Sequence, residues 1–142
     1  MLRTDWRPGP AADGRGPVLV SVTDFTASRP LDMPWIFRDG LRLRREWPEL
    51  GGAVGMWLWA EPRQLRCGSV SVWEGEEALR RFVALPLHVG IMRRYRGRGR
   101  MVSSTWVAER FDAGEVWRQA RHLLARHRDL DASGRTGEDR PS

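Results

Sequence analysis

The stretch Leu65–Arg96 constrains the fold more than any other part of the chain. It begins with alternating apolar and small residues, turns near Gly75, and continues as an amphipathic helix that Pro86 interrupts. Alternation with a period of two is typical of a strand, whereas apolar residues three and four positions apart are typical of a helix. The stretch therefore predicts a strand followed by two helical segments.

The rest of the chain supplies the partners of this unit. Further strands are predicted at Val18–Phe25, Ala53–Ala60 and Met101–Val107, and further helices at Met33–Trp47 and after Asp112. The order strand, helix, two strands, helix, strand is that of the ferredoxin-like split βαβ motif. We therefore predict an α+β fold, with a ferredoxin-like βαββαβ antiparallel sheet, helices on one of its faces, and an additional C-terminal helix.

The two ends of the chain have a different composition. Residues 1–17 and 131–142 are rich in Gly, Pro and charged residues, and such segments bury too little apolar surface to offset the entropy lost on ordering. We predict a flexible N-terminal arm at 1–17, a single domain at 18–130 and a flexible tail at 131–142.

Composition limits the environment in which the protein works. No apolar run approaches the roughly 18 residues of a membrane span, and the first residues lack the apolar core of a signal peptide. One cysteine, Cys67, cannot build a disulfide framework or a cysteine-cluster zinc site. We predict a cytoplasmic protein with no membrane partner.

All 24 basic residues are Arg, and five of them lie in the segment Arg93–Arg100, called here the basic run. Guanidinium groups bind phosphates and carboxylates, so the run can bind nucleic acid, an anionic substrate tail or an acidic patch on a partner. A solvated helix end, where cations complement the helix dipole, explains the same residues. The sequence leaves these alternatives open.

The two faces of the predicted sheet differ in chemistry. The aliphatic face is predicted to pack against the helices, and it consists of Val18, Val20, Val22, Val54, Met56, Leu58, Val70, Val72 and Val102. The other face is aromatic and rich in hydroxyls: Ser21, Thr23, Phe25, Trp57, Trp59, Ser69, Ser71, Trp73, Ser103 and Thr105.

The second face is too aromatic to lie in water and too rich in hydroxyls for a dry core. A second copy whose sheet closes over it would enclose a cavity with apolar walls and a few polar groups, which is typical of small-molecule sites. Trp57, Trp59 and Trp73 are then candidate substrate-binding aromatics, with Ser71 and Thr105 as hydrogen-bonding groups. The alternatives are a solid dimer interface or coverage by the C-terminal helix.

His88 is the candidate catalytic residue, because an imidazole titrates near neutral pH and can accept a proton. Its alternative role is to cap a helix or to hydrogen-bond the backbone at a turn. His122 and His127 lie five residues apart on the last helix, a spacing unsuited to shared metal ligation. We therefore predict no metal site.

The run SVSVWEGEEALRRFV, followed by Leu85-Pro86-Leu87-His88 and Met92-Arg93-Arg94, resembles the antibiotic biosynthesis monooxygenase-like family of the dimeric α/β-barrel superfamily. The resemblance covers roughly residues 18–110. It implies a homodimer in which two ferredoxin-like subunits pack sheet to sheet. In haem-degrading members of the superfamily, a Trp and a His stand where this chain has Phe82 and Met92, which argues against haem degradation.

For function, the resemblance implies that the protein binds an aromatic or polycyclic small molecule. The implied activity is that of a monooxygenase that uses no cofactor, or of a related tailoring enzyme, in which His88 deprotonates a phenolic substrate and the resulting carbanion reacts with oxygen. Two alternatives of other classes stay open: a non-enzymatic ligand-binding or interaction protein with this fold, and an Arg-rich nucleic-acid binder.

Overall fold

The computed structural model describes residues 1–138, with side chains to residue 131, in two compact units. The first unit is Met1–Phe111 and the second begins at Asp112. The second unit contains helix α4, Ala113–Glu138. Asp112 Oδ1 accepts a hydrogen bond from the Glu115 amide at 3.1 Å, as an N-cap residue does. The predicted flexible tail begins inside this helix, and residues 139–142 lie outside the described residues.

The first unit is built on a six-stranded antiparallel sheet in the order β1-β4-β5-β3-β6, with β2 also paired to β4. The strands are β1 (Leu2–Arg3), β2 (Arg7–Pro8), β3 (Val18–Ala27), β4 (Ala53–Glu61), β5 (Arg66–Trp73) and β6 (Gly99–Ala108). The helices are α1 (Met33–Glu46), α2 (Glu76–Val83) and α3 (Pro86–Tyr95). Strands β3 to β6 and these helices confirm the predicted ferredoxin-like βαββαβ arrangement.

Proline explains why the second crossover is two helices instead of one. Pro86 is the first residue of α3, where its missing N–H and fixed φ are tolerated. Leu85 precedes it in an extended conformation, as the residue before a proline prefers. The chain therefore turns between α2 and α3, and His88 lies in the first turn of α3.

The N-terminal segment, residues 1–17, adds β1 and β2 to the edge of β4, where the sequence predicts a flexible arm. The amides of Thr4 and Gly9 donate to the Leu58 and Val54 carbonyls at 2.9 and 3.0 Å. The Trp6 ring lies directly over Gly55, where an added Cβ would come within 2.0 Å of it. The composition of residues 1–17 does not predict these two strands, because it contains no information about the edge of β4 with which they pair.

Helices α1, α2 and α3 pack on one face of the sheet. Three aromatic rings form the centre of one core cluster: Trp47 and Trp73 have centroids 5.0 Å apart, and Phe82 lies 5.1 Å from each. A second cluster joins Phe25, Ala27 and Tyr95. The two clusters hold the helices against the sheet on either side of a space that side chains do not fill.

The prediction of which sheet face meets the helices is wrong. Leu19 pairs with Trp73, Ser21 with Ser71, and Thr23 with Ser69 on the face toward the helices. Residues directly opposite each other share a face, so the aliphatic residues of β3 and β5 point away from the helices. Val20, Val22, Val70 and Val72 on that side are 0% exposed within the single chain.

Strand β4 keeps Met56 and Leu58 toward the helices as predicted, but these residues share that face with the Ser residues of β5 instead of with its Val residues. Met56 pairs with Ser71 and Leu58 with Ser69, whereas Trp57 pairs with Val70. A one-residue change of register moves every side chain to the other face. The connection between β4 and β5 ends at Leu65, which has a left-handed conformation with φ 56°.

Candidate functional site

A cavity of about 880 Å³ lies between the sheet and helices α1, α2 and α3. Its walls are apolar and include Phe37 and Leu43 of α1, Leu79 of α2, and Val89 and Met92 of α3. The sequence predicts a cavity between the sheets of two subunits, and the structure instead places this one within a single chain. Apolar walls with a few polar groups at this volume are typical of small-molecule sites.

The bottom of the cavity is a grid of hydroxyls, called here the hydroxyl floor. Two rows cross three strands: Ser71 and Thr105 flank Ser21, and Ser69 and Ser103 flank Thr23. Neighbouring strands lie about 4.8 Å apart, so each row presents three hydroxyls at regular spacing. The grid can orient the oxygens of a flat ligand.

The hydroxyl floor is closed on one side and open on the other. Ser21 and Ser71 are buried, Thr23 and Ser69 are half-buried, and Ser103 and Thr105 on the edge strand β6 are exposed. Thr23 and Ser69 hydrogen-bond each other at 2.9 Å. A ligand can enter beside β6 and reach inward toward Ser71.

His88 lies in the wall of the cavity, half-buried against the Phe82 ring at a centroid distance of 4.8 Å. Its Nδ1 is 3.1 Å from the Val83 carbonyl oxygen. Because a carbonyl only accepts hydrogen bonds, Nδ1 carries the proton, and the neutral ring keeps Nε2 as a proton acceptor. His88 therefore makes the backbone hydrogen bond expected of a histidine at a turn. Its Nε2 also remains available to accept a proton.

Burial lowers the pKa of His88 from its ordinary value of 6.5, and the hydrogen bond to the Val83 carbonyl opposes that shift. The imidazole is therefore neutral at neutral pH, which is the form that can act as a general base. Cys67 also lines the cavity, but burial, and to a lesser degree Asp24, raises the pKa of its thiol to about 12. It stays a protonated thiol, as expected for a small buried hydrophobic residue.

The structure brings together three of the six predicted site residues. His88, Ser71 and Thr105 all line the cavity. Trp73 is buried in the core behind it, where its Nε1 donates to Ser71 Oγ at 3.0 Å. Trp73 thus orients a cavity hydroxyl instead of presenting its ring to a ligand.

Trp57 and Trp59 lie on the opposite face of the sheet, so a ligand in this cavity does not contact them. The Trp57 ring lies 4.4 Å from the Trp6 ring, and Trp59 Nε1 donates to the Thr23 carbonyl at 3.2 Å. The Arg66 guanidinium lies over the Trp59 ring at 5.7 Å. Their predicted role in substrate binding depended on the incorrect strand register.

Sequence reasoning missed a buried polar cluster at the far end of α3. Asp39 of α1 is 2% exposed and accepts hydrogen bonds from Tyr95 at 2.6 Å and Arg94 at 2.9 Å. Burial, then the hydrogen bond to Asp39, raises the pKa of Tyr95 to about 12, so its hydroxyl stays a donor. The only signal in the sequence is an acidic residue within an Arg-rich helix, which is also typical of a solvated surface.

Two further properties concern cofactors and membranes. Among the described residues, no group of three or more His, Cys, Asp or Glu side chains is placed to hold a metal ion. In the same part of the chain, no helix is long and apolar enough to cross a membrane.

Comparison with known proteins places the fold. No protein-family model matches the sequence, and no curated protein matches it significantly. Solved structures do match: SnoaB, a cofactor-independent oxygenase from Streptomyces nogalater, aligns with a TM-score of 0.52 and 20% identity over 68% of this chain and 97% of that one.

Two other solved structures give the same result. A protein from Shewanella oneidensis aligns with a TM-score of 0.58 and 11% identity, covering 73% of this chain and 97% of that one. A protein described as an antibiotic biosynthesis monooxygenase aligns with a TM-score of 0.54 and 9% identity, covering 66% and 99%. The chain therefore has the ferredoxin-like fold of the antibiotic biosynthesis monooxygenase-like proteins, and the resemblance predicted from its sequence is confirmed at the level of the fold.

Proposed function

We propose that the protein binds an aromatic or polycyclic phenolic molecule in the cavity and oxidises it with molecular oxygen, without a cofactor. The observation that carries the proposal is the placement of His88, with a free Nε2, in the wall of an apolar cavity whose floor bears hydroxyls. SnoaB, which shares the fold, is a cofactor-independent oxygenase. Because one fold hosts many activities, the site carries the argument.

The chemistry needs a base, a site for the carbanion and access for oxygen. His88 Nε2 takes a proton from a substrate carbon flanked by phenolic rings, and the hydroxyl floor donates hydrogen bonds to the oxygens that share the negative charge. The carbanion gives electrons to oxygen and forms a carbon–oxygen bond, which yields a peroxide anion. The imidazolium returns its proton to this anion.

The reaction ends when the hydroperoxide loses water. The oxygen–oxygen bond breaks, the carbon loses its second hydrogen, and a carbonyl remains. A methylene and one oxygen molecule thus become a carbonyl and one water, so the substrate supplies all the electrons. No further reductant is required.

Oxygen uptake with 1,8-dihydroxy-9-anthrone as the probe tests the proposal. We expect the wild-type protein to accelerate uptake above the spontaneous rate, and the His88→Gln variant to lower kcat by about 100-fold or more while still binding the probe. The matched control is His122→Gln on the exposed side of α4, which should leave the rate unchanged. Binding of the probe without faster uptake would instead support the non-enzymatic ligand-binding alternative.

The homodimer implied by the sequence resemblance is part of the proposal. A dimer formed sheet to sheet would use the face that carries Val20 and Val72, which is already buried in one chain. Sedimentation equilibrium would measure the oligomeric state directly. The cavity itself is lined by residues of one chain, so the proposed chemistry does not depend on the outcome.

The nucleic-acid alternative is weakened because some Arg residues of the basic run form ion pairs and others line the cavity. Arg94 is paired with the buried Asp39 at 2.9 Å, and Arg98 with Asp32 at 3.5 Å. Arg93 and Arg96 line the cavity. The run therefore does not present a continuous row of available cations to a phosphate backbone.

A further inference from the structure

The charges that line the cavity are all of one sign. Its ionisable lining residues are Arg93, Arg96, His88, Tyr95 and Cys67, and no Asp or Glu is found in the described lining. The thiol and the phenol stay neutral because burial raises their pKa values to about 12. The described lining of the cavity thus carries two permanent positive charges and no negative one.

Among the described residues, no partner is found for the side chains of Arg93 and Arg96 in the basic run. Arg94 and Arg98 form ion pairs with Asp39 and Asp32. Within the part of the chain that the structure describes, the side chains of Arg93 and Arg96 make no hydrogen bond or ion pair, and the only bond between the two residues joins the Arg96 amide to the Arg93 carbonyl. Two guanidinium groups at the edge of an apolar cavity, with neither neutralised, favour an anionic ligand.

The position of the two Arg residues separates them from the proton acceptor. His88 is in the first turn of α3, whereas Arg93 is in the last turn and Arg96 follows the helix in an extended conformation. The rise from residue 88 to residue 96 is about 12 Å at helical geometry. A ligand that contacts both ends must therefore be extended, and a fused ring system with an acidic group at its far end has the required length.

The end of α3 offers room for such a group. Gly97 and Gly99 line the cavity beside Arg96, and an added Cβ at Gly97 would meet nothing within 4 Å. The carboxyl end of a helix carries about half a negative charge, which is less than the two guanidinium charges. The net potential at this end of the cavity is therefore positive.

We propose that the natural ligand is an aromatic carboxylate, with its rings over the hydroxyl floor and its carboxylate bound by Arg93 and Arg96. The planar guanidinium fork matches a carboxylate in a bidentate geometry. This inference rests on the proposed function for the location of the rings, and it adds the substrate class and the residues that select it.

A pair of probes that differ only in the acid tests the inference. 4,5-Dihydroxyanthraquinone-2-carboxylic acid and 1,8-dihydroxyanthraquinone have the same rings, and their binding can be followed by isothermal titration calorimetry. We expect the wild-type protein to bind the acid at least ten-fold more tightly. Arg93→Gln and Arg96→Gln should each remove much of that preference and leave affinity for the neutral probe unchanged.

The matched control is Arg63→Gln, an exposed Arg in the turn before β5, which should keep the preference. Raising the salt concentration should reduce the preference of the wild-type protein, because salt screens charges at exposed sites. Equal affinity for the two probes would overturn the carboxylate inference and leave the proposed function standing. Failure to bind either probe would instead count against the proposed cavity function.

Discussion

At the scale of single residues, His88 carries the most testable property of the site. Burial lowers its pKa below 6.5, and the hydrogen bond to the Val83 carbonyl only partly opposes this shift. In the unfolded chain the imidazole takes up its proton at a higher pH than in the folded protein. Stability is therefore fully present above the unfolded pKa and is lost as pH falls from 6.5 toward the folded value.

We expect an NMR titration to give a pKa for His88 below 6.5, with the resonance assigned by its loss in His88→Gln. Urea unfolding at a series of pH values should show that this variant loses part of the decrease in unfolding free energy below pH 6.5. A midpoint at or above 6.5 would contradict the burial of the ring against Phe82. It would also remove the reason for assigning a neutral base at neutral pH.

At the scale of elements, α1 contains one residue that works against the helix. Gly40 lies in the middle of α1 and lines the cavity, and a Gly in a helix interior costs about 1 kcal/mol relative to Ala. An added Cβ would approach the Leu58 side chain at 3.4 Å, an ordinary contact distance. We expect Gly40→Ala to raise the unfolding free energy by about 0.5–1 kcal/mol, measured by urea denaturation.

The opposite result at Gly40, a loss of stability, would mean that the cavity wall cannot accept even a methyl group. Gly68→Ala serves as the contrasting variant, because its Cβ would lie 1.8 Å from the Thr23 carbonyl oxygen. That contact is with backbone and cannot be relieved by a side-chain rotation. Gly68→Ala should therefore be destabilising.

The elements also show what a sequence can and cannot predict here. Strands and helices are predictable because their periods are local, and the break before Pro86 follows from proline chemistry. Whether Trp57 shares a face with Ser69 and Ser71 is not local, because it depends on how the turn at Leu65 aligns β4 with β5. The hydroxyls and His88 are therefore recognisable in advance, but the sequence wrongly predicts that the two Trp residues of β4 share a face with those hydroxyls.

At the scale of the whole molecule, the sheet separates two environments. One face carries the hydroxyl floor and a cavity, and the other carries aliphatic residues together with a buried ion pair between Asp24 and Arg66. The same separation explains why composition alone wrongly predicts which face of the sheet lies toward the helices. Hydroxyl groups can face helices when the space between them is a ligand site instead of a dry core.

The N-terminal segment combines its strand pairing with β4 with one close approach of an aromatic ring to the sheet. Trp6 lies over Gly55 and stacks on Phe111 at a centroid distance of 4.8 Å. In the wild-type protein, we expect the Thr4 and Gly9 amides to be protected from hydrogen exchange, because they donate to β4. Gly55→Ala should remove this protection, since its Cβ would overlap the Trp6 ring.

Gly51→Ala is the matched control, because an added Cβ at Gly51 meets nothing within 4 Å, and protection at Thr4 and Gly9 should persist. Loss of the segment would leave the edge of β4 unpaired, and an unpaired strand edge is a template for association. Gly55→Ala should therefore also show increased self-association by light scattering. Rapid exchange of both amides in the wild-type protein would mean that residues 1–17 are the flexible arm that their composition predicts.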